Sequence, residues 1–332
     1  MVFMMNKEEK YNSLNGLRAI SCIGILMMHV LSNGNYKLDN MTSMIISSFT
    51  NLVFLFMIIS SFAMCCGYYE KIKSNKISLE EFYKKRIKKL MPFFIFIIII
   101  DIIYNHNVNS LIEGFANITM MFSFLPKTLN VIGVAWFLGL IFIYYMIFPF
   151  FVFLFSNKRR AWIVTITAFI MNIIGTSYFS IGRTNMFYSF LYFCIGGLIY
   201  LYKEEIIKYI KSRKIIFATA IITLIIMYYS LQMNNYIFSV MMISIFTLLI
   251  CYSITTNNKL LDNKYTAYIS NISLEIYLSH MLIYRIIEKI NLTHIFKNEY
   301  ISYVLTSVIC LVGTIILAKI FNKTFNKLKG EK

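Results

Sequence analysis

The sequence predicts an all-α polytopic membrane helix bundle with about ten transmembrane helices and one short re-entrant or interfacial segment, forming a single integral membrane domain over residues 1–332. Three observations predict it. Of the 332 residues, 58% are hydrophobic and only 14% are charged, against roughly a quarter charged in soluble domains. The mean hydropathy is +0.67. The apolar residues fall in blocks close to the ~20 residues that cross a bilayer as a helix. Hydrocarbon leaves a backbone no water to bond, so each block satisfies its own N–H and C=O groups as a helix does. The blocks are continuous rather than alternating, which excludes a membrane β-barrel.

The spans follow in order. The first, 14–33, is too long for a cleaved signal peptide and lacks a small-residue cleavage site, so it reads as an anchor. The second, 41–68, is followed by Lys71, Lys73, Lys76, Lys84, Lys85, Arg86, Lys88 and Lys89, in a polar stretch, 69–91, that reads as a loop. The third is 92–106. The apolar segment 114–126 is short, and Pro126 ends it, so it is expected to be re-entrant or interfacial. The fourth span, 131–155, precedes Lys158, Arg159 and Arg160. The fifth and sixth, 161–180 and 185–202, precede Lys203, Lys208, Lys211, Arg213 and Lys214. The seventh and eighth, 214–231 and 236–254, precede Lys259 and Lys264. The last two are 268–288 and 300–321, with Lys319, Lys323, Lys327 and Lys329 closing the chain.

Every second loop is therefore basic, while 34–40, 107–112, 181–184 and 232–235 carry little positive charge. Short basic loops stay cytoplasmic. Ten spans then put both termini in the cytoplasm of a multi-pass cell-membrane protein. A full crossing by 114–126 would turn Lys158–Arg160 outward, which is why that segment is demoted. The net charge of +17 follows from this topology, with anionic lipid headgroups as its partners. Nucleic acid is not an expected partner, because the basic clusters sit between spans. The six cysteines, Cys22, Cys65, Cys66, Cys194, Cys251 and Cys310, lie within or beside spans and read as packing residues, with no metal site or disulfide implied.

Function is sought among ionisable groups inside spans, each of which costs roughly 2.5–3.5 kcal/mol to insert at a helix centre. These are Arg18, His29, Asp101, Glu275, His280 and Arg285. Arg18 and His29 are eleven residues apart, which at ~100° per residue returns to within about 20° of the same face. The rise between them is roughly 16 Å at 1.5 Å per residue. One helix thus offers a fixed cation toward the cytoplasm and, nearer the outside, an imidazole suited to take a proton from an alcohol near neutral pH. The bland alternative is a snorkelling Arg18 and an interfacial His29.

His280 is a second candidate base. Ser273 shares its face, Tyr277 and Tyr284 flank it, and Glu275 lies about 140° round the helix and so is not its local orienter. The competing reading is a hydrogen-bonded core histidine. His106 and His294 fall in loops or at span ends and are assigned no role. Asp101 is expected either to pair with a cation of the bundle or to face a water cavity.

Four stretches carry a resemblance. They are Leu14-Asn15-Gly16-Leu17-Arg18 leading to His29; Phe82-Tyr83-Lys84-Lys85-Arg86-Ile87-Lys88-Lys89 ahead of Pro92; Ala135-Trp136-Phe137-Leu138 with Tyr144 and Pro149; and Ser273-Leu274-Glu275-Ile276-Tyr277-Leu278-Ser279-His280. In this order and spacing the chain resembles the membrane-bound acyltransferase-3 family, in its stand-alone form without an appended soluble domain. Two departures are visible. Asn15 stands where the family often has Asp, and Lys89 replaces the second Arg of an Arg-x-x-Arg pattern, which keeps charge but not a bidentate fork.

The resemblance implies an O-acyltransferase taking an acyl group, usually acetyl, from cytosolic acetyl-CoA or another acyl-CoA to a hydroxyl of a cell-surface or exported carbohydrate. On this reading His29 and Arg18 are catalytic, and Arg86 and Lys89 hold the CoA phosphates. Glu275, His280 and Trp136 support them, although a positive-inside loop explains Arg86 and Lys89 equally, and an interfacial belt explains Trp136. The alternative is a transporter or flippase for a lipid-linked sugar. It would account for many spans and buried charges but would not require the eleven-residue Arg–His spacing, and no inverted repeat is visible.

Overall fold

The computed structural model describes residues 11–105, 107–120, 122, 133–231, 235–256 and 258–328. The described residues form helices and turns and no strand. α1 spans Ser13–Gly34, and α2 (Asn40–Ser48) runs through a 3₁₀ turn into α3 (Leu52–Met64) and then, past a π-helical turn, into α4 (Glu70–Lys73). α5 (Leu79–Asn105), α6 (Val108–Ile118), α7 (Trp136–Leu154), α8 (Lys158–Ser177), α9 (Met186–Leu201) and α10 (Lys203–Lys211) follow. The last five are α11 (Lys214–Ser230), α12 (Asn235–Thr255), α13 (Lys264–Asn271), α14 (Ser273–Lys289) and α15 (Glu299–Leu328).

Six of these helical stretches are long and apolar enough to cross a membrane, or seven when α9 and α10, bent by 72° at Tyr202, count as one span. The six are α1, the continuous Asn40–Lys73 stretch, α7, α8, α12 from Ile237, and α15 through Lys327. The other expected spans coincide with helices of weaker character. α11 and α14 have only 17 residues each, and α14 carries Glu275, Arg285, Glu288 and Lys289. α5 adds Asp101 to the lysines of its first turns.

One expectation is corrected. Much of the stretch 69–91 is not a loop, because α5 begins at Leu79, thirteen residues before Pro92. Glu80 and Glu81 in its first turn complement the helix dipole, and Glu81 pairs with Lys85 at 2.5 Å one turn on. Pro92 is carried inside the helix, as membrane helices tolerate. Of the segment 114–126, residues through Ile118 belong to α6, a helix only 11 residues long; Pro126 and His106 lie outside the described residues.

The chain divides into two compact units. One comprises residues up to Ile20, Val53–Leu79 and Met146–Asn271. Its helices close on small residues. A Cβ added to Gly196 of α9 would stand 2.4 Å from the Ile58 carbonyl of α3, and Ser61 of α3 donates to the Phe193 carbonyl. Backbones that approach this closely need glycine at the crossing. On the next face, Phe151 stacks on Phe155 with 4.1 Å between centroids, and Gly197 leaves room for both rings. Gly16 likewise lies against Leu261, and the Ser13 hydroxyl donates to the Thr256 carbonyl at 2.6 Å.

The other unit comprises Ser21–Leu52, Glu80–Tyr145 and the chain from Ile272 onward. Here α14 packs on α15, with Ile283 against Gly313 and the Cys310 thiol donating to the His280 carbonyl at 3.3 Å. The C-terminal end of α1 is fastened to the start of α15. Tyr36 donates to the Thr293 carbonyl at 2.8 Å, His294 bonds the Gly34 carbonyl at 2.8 Å, and Tyr303 donates to the Met27 carbonyl at 3.1 Å. Five of the six cysteines are buried free thiols and Cys66 is half-buried, in keeping with a packing role.

Candidate functional site

Within the second unit, two histidines that the sequence leaves as separate candidates meet. The His29 ring of α1 and the His280 ring of α14 have centroids 5.0 Å apart, with planes inclined at 40°. A second contact on the same two helices explains the register. The Cys22 thiol lies 3.5 Å from the Ser273 carbonyl, and each histidine stands seven residues beyond its member of that pair. Seven residues are close to two turns, so two parallel helices that meet at Cys22 and Ser273 meet again at His29 and His280.

The two imidazoles have different surroundings. His29 is half-buried, while His280 is 1% exposed. His280 Nδ1 lies 3.3 Å from the Ile276 carbonyl one turn back. A carbonyl only accepts, so Nδ1 carries the proton and Nε2 carries the lone pair. That Nε2 is buried and has no hydrogen-bond partner among the described residues. Buried polar atoms are nearly always bonded, so such an atom marks a place where a substrate, a water or a neighbour's proton belongs.

An aromatic line continues from the pair. Tyr277 lies 5.9 Å from His280, Phe137 lies 5.6 Å from Tyr277, and Trp136 lies 6.1 Å from Phe137. The Tyr277 hydroxyl donates to the Val134 carbonyl at 2.7 Å, which ties the start of α7 to α14 one turn before His280. Trp136 is half-buried at the first residue of α7 and joins the pair through this line. Glu275 is half-buried on α14, within electrostatic range of Cys22 and Lys89.

Arg86 and Lys89 part company. Arg86 is 6% exposed, its guanidinium 5.6 Å over the Tyr145 ring, whereas Lys89 is exposed. They lie three residues apart, so the same stripe of α5 leaves cover between them. Of these two charges only Lys89 is exposed, and the Arg86 guanidinium is buried. Arg18 stands half-buried on α1 but falls in the first unit, whereas His29, His280, Glu275, Trp136, Arg86 and Lys89 all fall in the second.

Asp101 has its cation. Its carboxylate, 2% exposed, accepts from Arg285 at 3.1 Å and from Asn105 at 2.7 Å. Arg285 also lines a polar cleft of about 390 Å³ with Tyr104, Asn105, Asn109, Ser110 and Glu113. Both alternatives foreseen for Asp101 thus meet in one place, a paired carboxylate beside a hydrophilic cleft. Among the described residues, no three His, Cys, Asp or Glu side chains are grouped as metal ligands would be.

The facing of His280 on His29 is the feature the sequence reading missed. Its signal was present in the repeated seven-residue spacing, Cys22 to His29 and Ser273 to His280, but spacing on two separate helices does not say that they are neighbours.

Residues 11–322 match the family model described as an acyltransferase domain, that of the acyltransferase-3 family. Comparison with curated proteins and with solved structures gives no match. The family match covers nearly the whole chain, contains both histidines, and favours group transfer over sugar transport. The chain belongs to the acyltransferase-3 family and is a membrane acyltransferase.

Proposed function

We propose that the protein is an O-acyltransferase that moves an acyl group, acetyl in the simplest case, from cytosolic acyl-CoA to a hydroxyl of a cell-surface or exported carbohydrate. The observation that carries this reading is the imidazole pair, in which a buried Nε2 lone pair lies beside a half-exposed second ring. Ester formation from an alcohol and a thioester needs a base on the alcohol. His29, the more accessible ring, takes the hydroxyl proton as the new C–O bond forms, and the C–S bond then breaks to release CoA. His280 acts through His29. Its lone-pair nitrogen, unbonded within the described residues, is proposed to take up the N–H of the His29 ring during turnover and so turn the other His29 nitrogen toward the substrate, the orienting role that a third group plays in nucleophilic triads.

Arg18 is proposed to balance the charge that develops on the thioester oxygen. Lys89, with Arg86 behind it, is proposed to meet the CoA phosphates, where a point charge suffices. The polar cleft at Arg285 supports a hydroxyl-rich acceptor, because amide and hydroxyl side chains both donate and accept. The topology belongs to the same proposal: about ten crossings of the cell membrane, with both termini and the Lys89 end of α5 cytoplasmic.

The test is direct. Purified protein in liposomes receives radiolabelled acetyl-CoA on one side and soluble cell-wall and exopolysaccharide fragments on the other. The expected result is CoA release coupled to label in the carbohydrate. Arg18→Lys should keep part of this activity and Arg18→Ala should lose it. Label appearing in no acceptor, with no CoA released, would overturn the assignment.

A further inference from the structure

The first unit holds a feature that acyl transfer at the imidazoles does not use. Helices α8, α9, α10 and α12 line an apolar cavity of about 1130 Å³. Its walls are side chains such as Phe169, Leu191, Ile195 and Ile243. At one end the character changes sharply. There Trp162, Tyr202, Tyr209, Lys208 and Arg213 form the rim.

The chain bend builds this rim. α9 is apolar and buries nine of its 16 residues, whereas α10 turns by 72° and alternates Ile206, Ile207 and Ile210 with lysines and glutamates. A short amphipathic helix leaving a span at a steep angle is the pattern of a segment lying in the headgroup layer. The aromatic pair agrees. Trp162 donates its indole N–H to the Tyr202 hydroxyl at 3.0 Å, and Trp and Tyr concentrate where hydrocarbon gives way to headgroups. From Tyr202 to Leu191 the cavity follows eleven residues of α9, about 16 Å at 1.5 Å per residue, close to half a bilayer's hydrocarbon thickness.

The rim's charge selects the headgroup. Glu205 also lines it but is engaged by Lys158, so its negative charge is matched inside the protein. Arg213 touches neutral groups, the Tyr209 ring at 4.3 Å and the Tyr209 carbonyl and Ser212 hydroxyl at 3.4 Å, and these do not cancel its charge. Lys208, which lines the same cavity, is exposed. Two cations thus sit at headgroup depth over a one-leaflet apolar slot.

We propose that this cavity is a binding site for a single anionic phospholipid, its acyl chain along α9 and α12 and its phosphate between Lys208 and Arg213. Each cation near such a headgroup favours it by about fivefold, so the pair favours an anionic over a zwitterionic lipid by roughly 30-fold.

Trp162 is the reporter, and Trp136→Phe removes the other tryptophan of the chain. The single-tryptophan protein is placed in vesicles of phosphatidylcholine doped with either brominated phosphatidylglycerol or brominated phosphatidylcholine, and quenching is read against bromolipid fraction. Brominated phosphatidylglycerol should quench at a fraction at least tenfold lower. Lys208→Gln with Arg213→Gln should erase the difference, and Lys208→Arg should keep it. Equal quenching by the two lipids, or a preference that survives loss of both cations, would overturn the proposal. Recovery of fluorescence on adding palmitoyl-CoA would overturn it too, because the cavity would then be an acyl-donor channel.

Discussion

Replacing His280 with Asn separates the packing of this side chain from its chemistry. The Asn amide N–H falls near the place of Nδ1 and keeps a donor for the Ile276 carbonyl, 3.3 Å from Nδ1 in the native protein, while the lone pair at Nε2 is deleted. A positioned general base contributes about 10²–10⁴-fold. At 1.36 kcal/mol per tenfold, that is about 2.7–5.4 kcal/mol of barrier. His29→Gln should lose all of it. If His280 acts only by orienting His29, His280→Asn should lose a large share, about 10²-fold, and the double variant should be no slower than His29→Gln. Residues that act as a unit are non-additive in this way. The assay is single-turnover acyl transfer in liposomes, normalised to folded protein, with a thermal melt to confirm that His280→Asn stays folded. Near-wild-type turnover in His280→Asn would refute the pairing as a catalytic device. Multiplicative losses in the double variant would show two independent groups and refute the orienting role.

Other perturbations follow from named contacts. Lys89→Ala should weaken apparent acyl-CoA affinity in a manner that fades with added salt, because Lys89 is exposed, whereas the loss in Arg86→Ala, from beneath Tyr145, should persist at high salt; a titration of affinity against ionic strength checks both. Arg285→Ala strands a carboxylate that is 2% exposed, and should cost toward the low end of the about 3–5 kcal/mol of a broken buried pair because Arg285 is itself partly exposed; a melt of Arg285→Ala with Asp101→Asn should recover most of it. Asp39, between α1 and α2, is held well below the usual carboxylate range by Thr42 and Tyr300. A depressed folded value stabilises at every pH above the unfolded one, near 3.9, and the benefit is lost as pH falls toward the folded value. The melting gap between the native protein and Asp39→Asn should therefore be constant from pH 7 to about 5 and close below about 4. A cysteine introduced at position 76 should resist impermeant reagent added outside intact cells, which tests the cytoplasmic placement of the α4–α5 turn.

Membrane character, helical class and helix positions were legible in the sequence because they depend on local quantities. A run of apolar residues has one low-energy form in hydrocarbon, whatever its neighbours. The four motifs were legible for a similar reason, since their order and spacing are linear. Proline and charge misled at α5. The lysines of 84–89 look like a loop, yet a helix of paired and outward-facing charges forms there, with Arg86 turned inward onto Tyr145. Local rules count charges without knowing which face is covered.

What the sequence by itself determined, then, is that α1 carries Arg18 and His29 on one stripe and that α14 carries Ser273, Tyr277 and His280 along another. Only the tertiary structure decided that the α1 and α14 stripes meet, placing His29 5.0 Å from His280 and leaving Nε2 of the buried ring with its lone pair unspent. It also decided that Asp101 would find Arg285, 184 residues away along the chain. Helix formation is fixed within a few residues, but a buried imidazole or carboxylate takes its character from whichever helix packs over it. That choice rests on side chains such as Cys22, Gly313 and Cys310, whose small size says that something approaches closely without saying what.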